Sequence, residues 1–331
     1  MTRTKKKSNR IPKHNLIYMA KPPYGGWVSF TAHLALKKKY PLFKLSSVKS
    51  ETKYRPFGYD VSYMNKTLDD IIQLPGSILI TAVDKKYYSF LPKIPTGSSI
   101  VIHDPTELKP DVIEHLPRLK VITIRKTVKD LLKNKYGIES RFLYHPFYEF
   151  PIDASRLKIS QSKTKALSIS RIDFDKHTDM IVEANNGLPL NKRVDIYGAL
   201  GDLYVYHKLR HTHFKRYYKG KFGKTFKDLT DLLYPCRFLV DMSAIKGDGG
   251  GSQYTFLEAI YMNCILVLNS KWTDNIPKGS TEFINGTNCL VVSTSEELKT
   301  VLNKNYSRET LSKLVTNAKK MLKPHIKAKG W

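Results

Sequence analysis

"KGDGGGSQYTFLEAIYMNCILVLNS", residues 246–270, runs from a bare glycine turn through a short helical pattern into a continuous apolar strand. Glycines let backbone N–H groups approach a ligand without side-chain obstruction. A helix N-terminus adds unpaired donors and a partial positive charge, a combination that suits phosphate. Glu258 falls deeper along the same helix, where a carboxylate can accept hydrogen bonds from sugar hydroxyls. The other reading is a glycine-rich loop with a solvated glutamate, and this stretch alone does not separate the two. Turn, helix and strand in this order form one unit of a parallel α/β sheet.

The same unit recurs on both sides. "NLIYMA" (15–20), "SILITAV" (77–83), "SIVIHD" (99–104) and "KVITIR" (120–125) are apolar, rich in β-branched residues and bounded by polar or turn residues. Continuous runs of this kind fit strands buried on both faces. Helical spacing falls between them in "VSFTAHLALKKKY" and in "TVKDLLKNKYG", the second stopped by Gly137. The second half repeats the pattern with "ALSISR" (166–171), "RVDIYG" (193–198), "RFLVDMS" (237–243), "CILVLN" (264–269) and "NCLVVST" (288–294), with helices at 226–234 and 252–262. The expected fold is therefore α/β, with two doubly wound, Rossmann-like domains in tandem facing across a cleft. The expected organisation is a basic leader over 1–14, an N-terminal acceptor-side domain over 15–150, a C-terminal donor domain over 151–305 and a C-terminal helical segment over 306–331 packing back on the N-terminal domain. "YHPFYEFPID" (144–153) reads as the linker.

Composition narrows the partners. The 331-residue chain has 56 Lys+Arg against 29 Asp+Glu, a formal net charge of +27. Residues 1–150 carry 27 basic and 12 acidic side chains, so the excess is spread over both halves. Such a field favours a polyanion: nucleic acid, an anionic membrane surface or a phosphorylated ligand. A solubilising lysine surface is the plain alternative. Cys236, Cys264 and Cys289 lack metal spacing and read as buried free thiols. No signal-peptide pattern or membrane-length apolar run is present, which predicts a cytoplasmic protein, in the host cell if the chain is viral.

In doubly wound sheets ligands bind at the carboxyl ends of the strands. There stand "KPPYGGW", "HDPTE", "SRIDFDKH", "YGALGD" and the opening glycine stretch. This constellation resembles the GT-B glycosyltransferases, particularly the retaining family of bacterial and phage sugar transferases. The nearest analogy is to phage DNA α-glucosyltransferases, through the His–Asp strand end and the late helix. The resemblance implies that Arg171 and Lys176 grip the donor diphosphate, and that Gly25, Gly26, Gly198, Asp248, Gly249, Gly250, Gly251, Ser252 and Glu258 line the donor site. Glu258 matches the second glutamate of the family's acidic motif. Gly250 stands where the first would be, with Asp248 as its substitute. His103 and Asp104 are read either as a strand-end cap or as an acceptor-positioning, proton-accepting pair. The implied chemistry is retaining transfer of a hexose from a nucleotide-diphosphate sugar, with UDP-glucose the assumed donor and neither metal nor cofactor required. "DFD" (173–175) reads as structural, not as a metal site.

"YVYHKLRHTHFKRYYKGKFGK" (204–224) interleaves basic and aromatic residues. Lys208, Arg210, Lys215, Arg216, Lys219 and Lys221 suit phosphate contacts, and Tyr217 and Tyr218 suit stacking on unpaired bases. A solvated amphipathic helix is the competing reading. The favoured acceptor is a hydroxylated base in DNA. The alternatives are a peripheral membrane transferase acting on a lipid-linked or lipopolysaccharide acceptor, and a catalytically silent nucleic-acid binder.

Overall fold

The computed structural model describes residues 13–21, 25–153, 163–223, 225–244, 253–274 and 281–331. Its strands, in chain order, are β1 His14–Met19, β2 Leu42–Leu45, β3 Arg55–Gly58, β4 Val61–Lys66, β5 Ser77–Val83, β6 Ser99–Ile102, β7 Lys120–Thr123, β8 Arg141–Phe142, β9 Lys165–Ile169, β10 Val194–Tyr197, β11 Cys236–Asp241, β12 Ile265–Asn269 and β13 Leu290–Val292. They form an eight-stranded sheet, β3-β4-β2-β1-β5-β6-β7-β8, and a five-stranded sheet, β10-β9-β11-β12-β13. Pairing is parallel except for the β3–β4 hairpin.

The apolar runs become central strands because both their faces are covered. In β1, Leu16 and Tyr18 join one buried cluster, whereas Ile17 and Met19 join the cluster on the opposite face. In β12, Leu266 and Leu268 divide from Ile265 and Val267 in the same way. Side chains alternate along a strand, so an unbroken apolar run is what two covered faces demand. One cluster is shared by the two halves. It passes from β1 through the helix Gly26–Lys38 to the helix Tyr254–Tyr261 and on to β12.

Local signals set the helix ends. Lys39, with φ 55°, ends the helix Gly26–Lys38 in the left-handed region, and Gly137, with φ 66°, ends Lys126–Tyr136. Thr225 and Asp228 form a reciprocal cap at the start of the helix Phe226–Leu233.

Three features depart from the sequence reading. The strands β2, β3, β4 and β8 carry no long apolar run; β3, with Arg55 and Pro56 exposed, lies at the sheet's edge, where one face stays in water. The linker stretch 144–153 is built into the core, with Phe147 and Phe150 fully buried, which its lack of periodicity did not signal. The segment 204–224 is not one helix. It divides into a turn Asp202–Tyr204, a π-turn Val205–Leu209 and a short helix Phe214–Tyr217.

The long helix Arg308–Lys327 brings the chain back to the first half. The Trp331 indole N–H donates to the Tyr144 carbonyl at 2.7 Å, and its ring meets Phe30 edge-on at 5.3 Å. The three cysteines are free thiols and buried. Among the described residues no helix is long and apolar enough to cross a membrane.

Candidate active site

Arg171 and Lys176 stand just beyond the carboxyl end of β9. Asp173 accepts from the Phe174 N–H at 2.8 Å and opens the tight turn 174–176. His177, at φ 45°, then turns the chain into the helix Thr178–Asn186. This turn holds both cations on one side. The Arg171 guanidinium is 59% exposed and donates to Asp173 at 2.9 Å and Asp175 at 3.5 Å. The Lys176 ammonium is enclosed, 13% exposed, and donates to Ser243 Oγ at 3.1 Å while pairing with Asp175 at 3.2 Å. Ser243 follows β11, and its N–H donates to Asp241 at 2.8 Å. The ends of β9 and β11 are thus fastened together by Lys176.

The "DFD" carboxylates are committed to these contacts, and no group of His, Cys, Asp and Glu among the described residues is arranged to hold a metal ion. Arg171 remains the accessible cation. An incoming diphosphate would exchange its two surface carboxylate partners for phosphate oxygens, which a guanidinium binds bidentately.

Gly198 has a packing reason to be glycine. A Cβ there would lie 1.7 Å from the Ser170 carbonyl oxygen. Its N–H donates to Gly220 at 2.9 Å, and its carbonyl accepts from the Tyr218 hydroxyl at 2.9 Å. The glycine lets the loop after β10 run against the end of β9. Gly25, at φ 84°, precedes the helix Gly26–Lys38, and a Cβ at either Gly25 or Gly26 meets open space. Here the backbone has room for a ligand. Asp248, Gly249, Gly250, Gly251 and Ser252 lie outside the described residues.

Glu258 is 2% exposed and points across to the first half, with Oε1 3.2 Å from His33 Nε2. The Tyr148 N–H donates to His33 Nδ1 at 3.0 Å, so that nitrogen carries no proton and Nε2–H is the donor to Glu258. Burial holds His33 below its ordinary pKa, against the pull of Glu258. The ring is stacked between Phe147 at 4.8 Å and Tyr254 at 4.6 Å. The carboxylate therefore joins the two halves, and a ribose contact at Glu258 would be made beside this bond.

On the first sheet, His103 is buried at the end of β6. Its Nε2 contacts the Thr81 carbonyl at 2.8 Å, and burial lowers its pKa to about 4. Asp104 accepts from the Thr106 N–H at 2.8 Å, which is a cap on the turn 105–107. The strand-end cap is thus present for Asp104, and His103 is a neutral buried ring. Glu107, which the sequence reading passed over, binds both neighbours of the site. It accepts from the His103 backbone N–H at 2.9 Å and from the Trp27 indole N–H at 2.5 Å. Its only signal in the sequence is an acid one turn beyond a strand-end histidine.

In the 204–224 segment, Lys208, Arg210, Lys215, Arg216, Lys219 and Lys221 are all exposed. Lys219 lies 3.6 Å from Asp195, and Arg210 rests over the Tyr206 ring at 4.3 Å. Tyr217 is a correction: it is buried, with its hydroxyl donating to Asn186 at 2.9 Å, and its face is not open to a base. Tyr218 is half-buried and stacked on Phe214 at 5.2 Å. The aromatic ring that does reach solvent is Tyr206, 57% exposed. The aromatic residues alternate with the lysines because they anchor an irregular segment to the core.

No protein-family model matches the chain, and no curated protein does. Solved structures do match along nearly the whole length. Anabaena HepE in complex with UDP and glucose superposes with a TM-score of 0.66 at 13% identity, covering 95% of each chain. An α-glucosyltransferase in complex with UDP and a 13-mer DNA containing an HMU base gives a TM-score of 0.66 at 13% identity, over 94% of this chain and 95% of that one. A glycosyltransferase from Rickettsia africae gives 0.60 at 13% identity, over 95% and 94%. The two-sheet architecture is the GT-B fold of nucleotide-sugar glycosyltransferases.

Proposed function

We propose that the protein is a glycosyltransferase moving a sugar from a nucleotide-diphosphate sugar to an acceptor hydroxyl, and that the acceptor is a hydroxylated base in DNA. The observation that carries the transferase reading is the pairing of an accessible Arg171 with an enclosed Lys176 at the carboxyl end of β9. Structures of the same fold have UDP or UDP-glucose bound, which supports UDP-glucose as the donor. Arg171 would take two phosphate oxygens, and Lys176 would add a fixed point charge as the diphosphate departs. Glu258 would accept from the nucleotide ribose. With those charges supplied by the chain, the leaving phosphate itself can take the acceptor proton, which suits a retaining transfer that needs neither a metal nor a strong base at His103 or Asp104.

The DNA reading is supported by the +27 charge, by the exposed cations of 204–221 and by α-glucosyltransferases of this fold solved with DNA. A base inside a duplex would be extruded before its hydroxyl reached the cleft. The test is mass spectrometry of nucleosides from DNA carrying hydroxymethylated pyrimidines after incubation with UDP-glucose and other nucleotide sugars. A hexosyl nucleoside is expected. Donor hydrolysis without any nucleoside adduct would remove DNA and leave the transferase. Transfer to lipid-linked sugars in anionic vesicles would then identify the membrane alternative.

A further inference from the structure

The carboxylate of Glu107 joins two pieces of chain far apart in sequence. Trp27 directly follows the glycines that start the helix Gly26–Lys38, and its indole N–H donates to Oε1 at 2.5 Å. His103 directly follows β6, and its backbone N–H donates to Oε2 at 2.9 Å. The same imidazole meets Phe30, one turn along the helix, edge-on at 4.8 Å. Phe30 is in turn covered by Trp331. A carboxylate offers both oxygens as acceptors, so two N–H donors on separate elements are satisfied at once. No alanine-sized or hydroxyl side chain could span them.

We propose that Glu107 is a positioning residue of the acceptor side, fixing the Gly25–Trp27 turn against the His103–Asp104 strand end. This rests on the transferase reading above, and it assigns a role to a side chain that would touch neither donor nor reacting atoms. Holding these two walls in register keeps the acceptor wall preorganised, so loosening them weakens acceptor binding.

The site also makes the link responsive to pH. Burial pushes the Glu107 carboxyl up to about 8, with Asp104 acting in the same sense; the His103 and Trp27 donors and the Arg125 cation oppose it. Tyr88 faces it as well and stays neutral, its phenol raised by burial and by Glu107. His103 is also neutral in this range. A protonated acid spends one oxygen as an O–H donor, so it receives two N–H donors less well than the carboxylate does. The link therefore weakens as pH falls through about 8.

Three variants test this: Glu107→Gln, Trp27→Phe and the pair combined, assayed with UDP-glucose and a duplex carrying a hydroxymethylated pyrimidine. In wild type, KM for the duplex should rise as pH falls from about 9 to about 7. At pH 9 it should be raised by about tenfold in either single variant, which should also lose that pH dependence, while kcat changes by less than about twofold. The double variant should be no worse than either single one, since both remove one contact. Independently of activity, the Trp27 indole N–H resonance should exchange slowly and titrate near pH 8 in wild type, and stop titrating in Glu107→Gln. An indole N–H that exchanges as fast as free indole, or an unchanged KM at pH 9 in active Glu107→Gln, overturns the role. If wild type transfers sugar to nothing, the transferase reading fails while the indole titration still decides whether Glu107 makes the link.

Discussion

Single side chains carry the sharpest expectations. Arg171→Ala and Lys176→Ala should each lower turnover by about two orders of magnitude or more, the scale of losing one preorganised charge contact at a leaving group. Single-turnover measurements with UDP-glucose would show it, and near-normal rates in both would remove the donor assignment. Lys176→Ala carries an added consequence, because Lys176 also fastens Ser243 beyond β11. Gly198→Ala tests the backbone. With its Cβ 1.7 Å from the Ser170 carbonyl, the loop after β10 must move, and a loss of about 1–3 kcal/mol or more is expected in urea unfolding. Gly25→Ala meets no such neighbour; only its left-handed φ of 84° opposes alanine. Equal stability losses at the two sites would refute the close-approach reading of Gly198.

At the scale of elements, the helix Gly26–Lys38 and the helix Tyr254–Tyr261 meet through His33 and Glu258. Glu258→Gln should weaken UDP binding in calorimetry, because a neutral amide bonds ribose hydroxyls less strongly than a carboxylate. Unchanged affinity would leave Glu258 as the partner of His33 alone. The same packing fixes a pH response. His33, His103 and His145 are all lowered from 6.5, first by burial. A group with a depressed folded pKa binds fewer protons when folded. The stability these rings contribute is therefore intact above about pH 6.5 and is lost as pH drops below it, when the unfolded chain takes up protons. His103, lowered to about 4, accounts for roughly 3 kcal/mol of this by pH 4. Glu107, whose carboxyl burial raises to about 8, contributes in the opposite sense over the same range, so the test is a difference: between pH 7 and pH 5 the urea midpoint of wild type should shift further toward instability than that of His103→Gln. The same pH shift in wild type and in His103→Gln would count against a neutral buried ring at His103.

For the whole molecule, the question is what the basic surface meets. If DNA is bound along 204–221, the logarithm of affinity should fall with log salt by about 0.9 per phosphate neutralised. Replacing Lys215, Arg216, Lys219 and Lys221 by Ala should flatten that slope by several units and leave donor hydrolysis intact. Stacking, if it contributes, belongs to the exposed Tyr206 and not to buried Tyr217. Tyr206→Ala should then cost roughly 1–3 kcal/mol with little change in slope. Weak binding at low salt, or a slope untouched by the four substitutions, would end the DNA reading and leave the transferase in place.

The sequence by itself determined the central apolar strands of the two halves and the placing of Arg171 and Lys176 just beyond the end of one of them. Unbroken apolar runs report two covered faces, and Arg171 and Lys176 fall within one local turn whose register the chain fixes. The helix stop at Gly137 was legible for the same reason, being written within a few residues. Only the tertiary structure decided what depends on distant partners. That Glu258 also bonds His33, 225 residues away, could not be read from its own helix. Tyr217 looked like a stacking platform until Asn186 and the core took its hydroxyl and faces. Glu107 gave almost no signal, because its role lies in meeting Trp27, 80 residues earlier. Periodicity reports which face a residue turns to the core, but the identity of the group waiting there is settled only when the two halves pack.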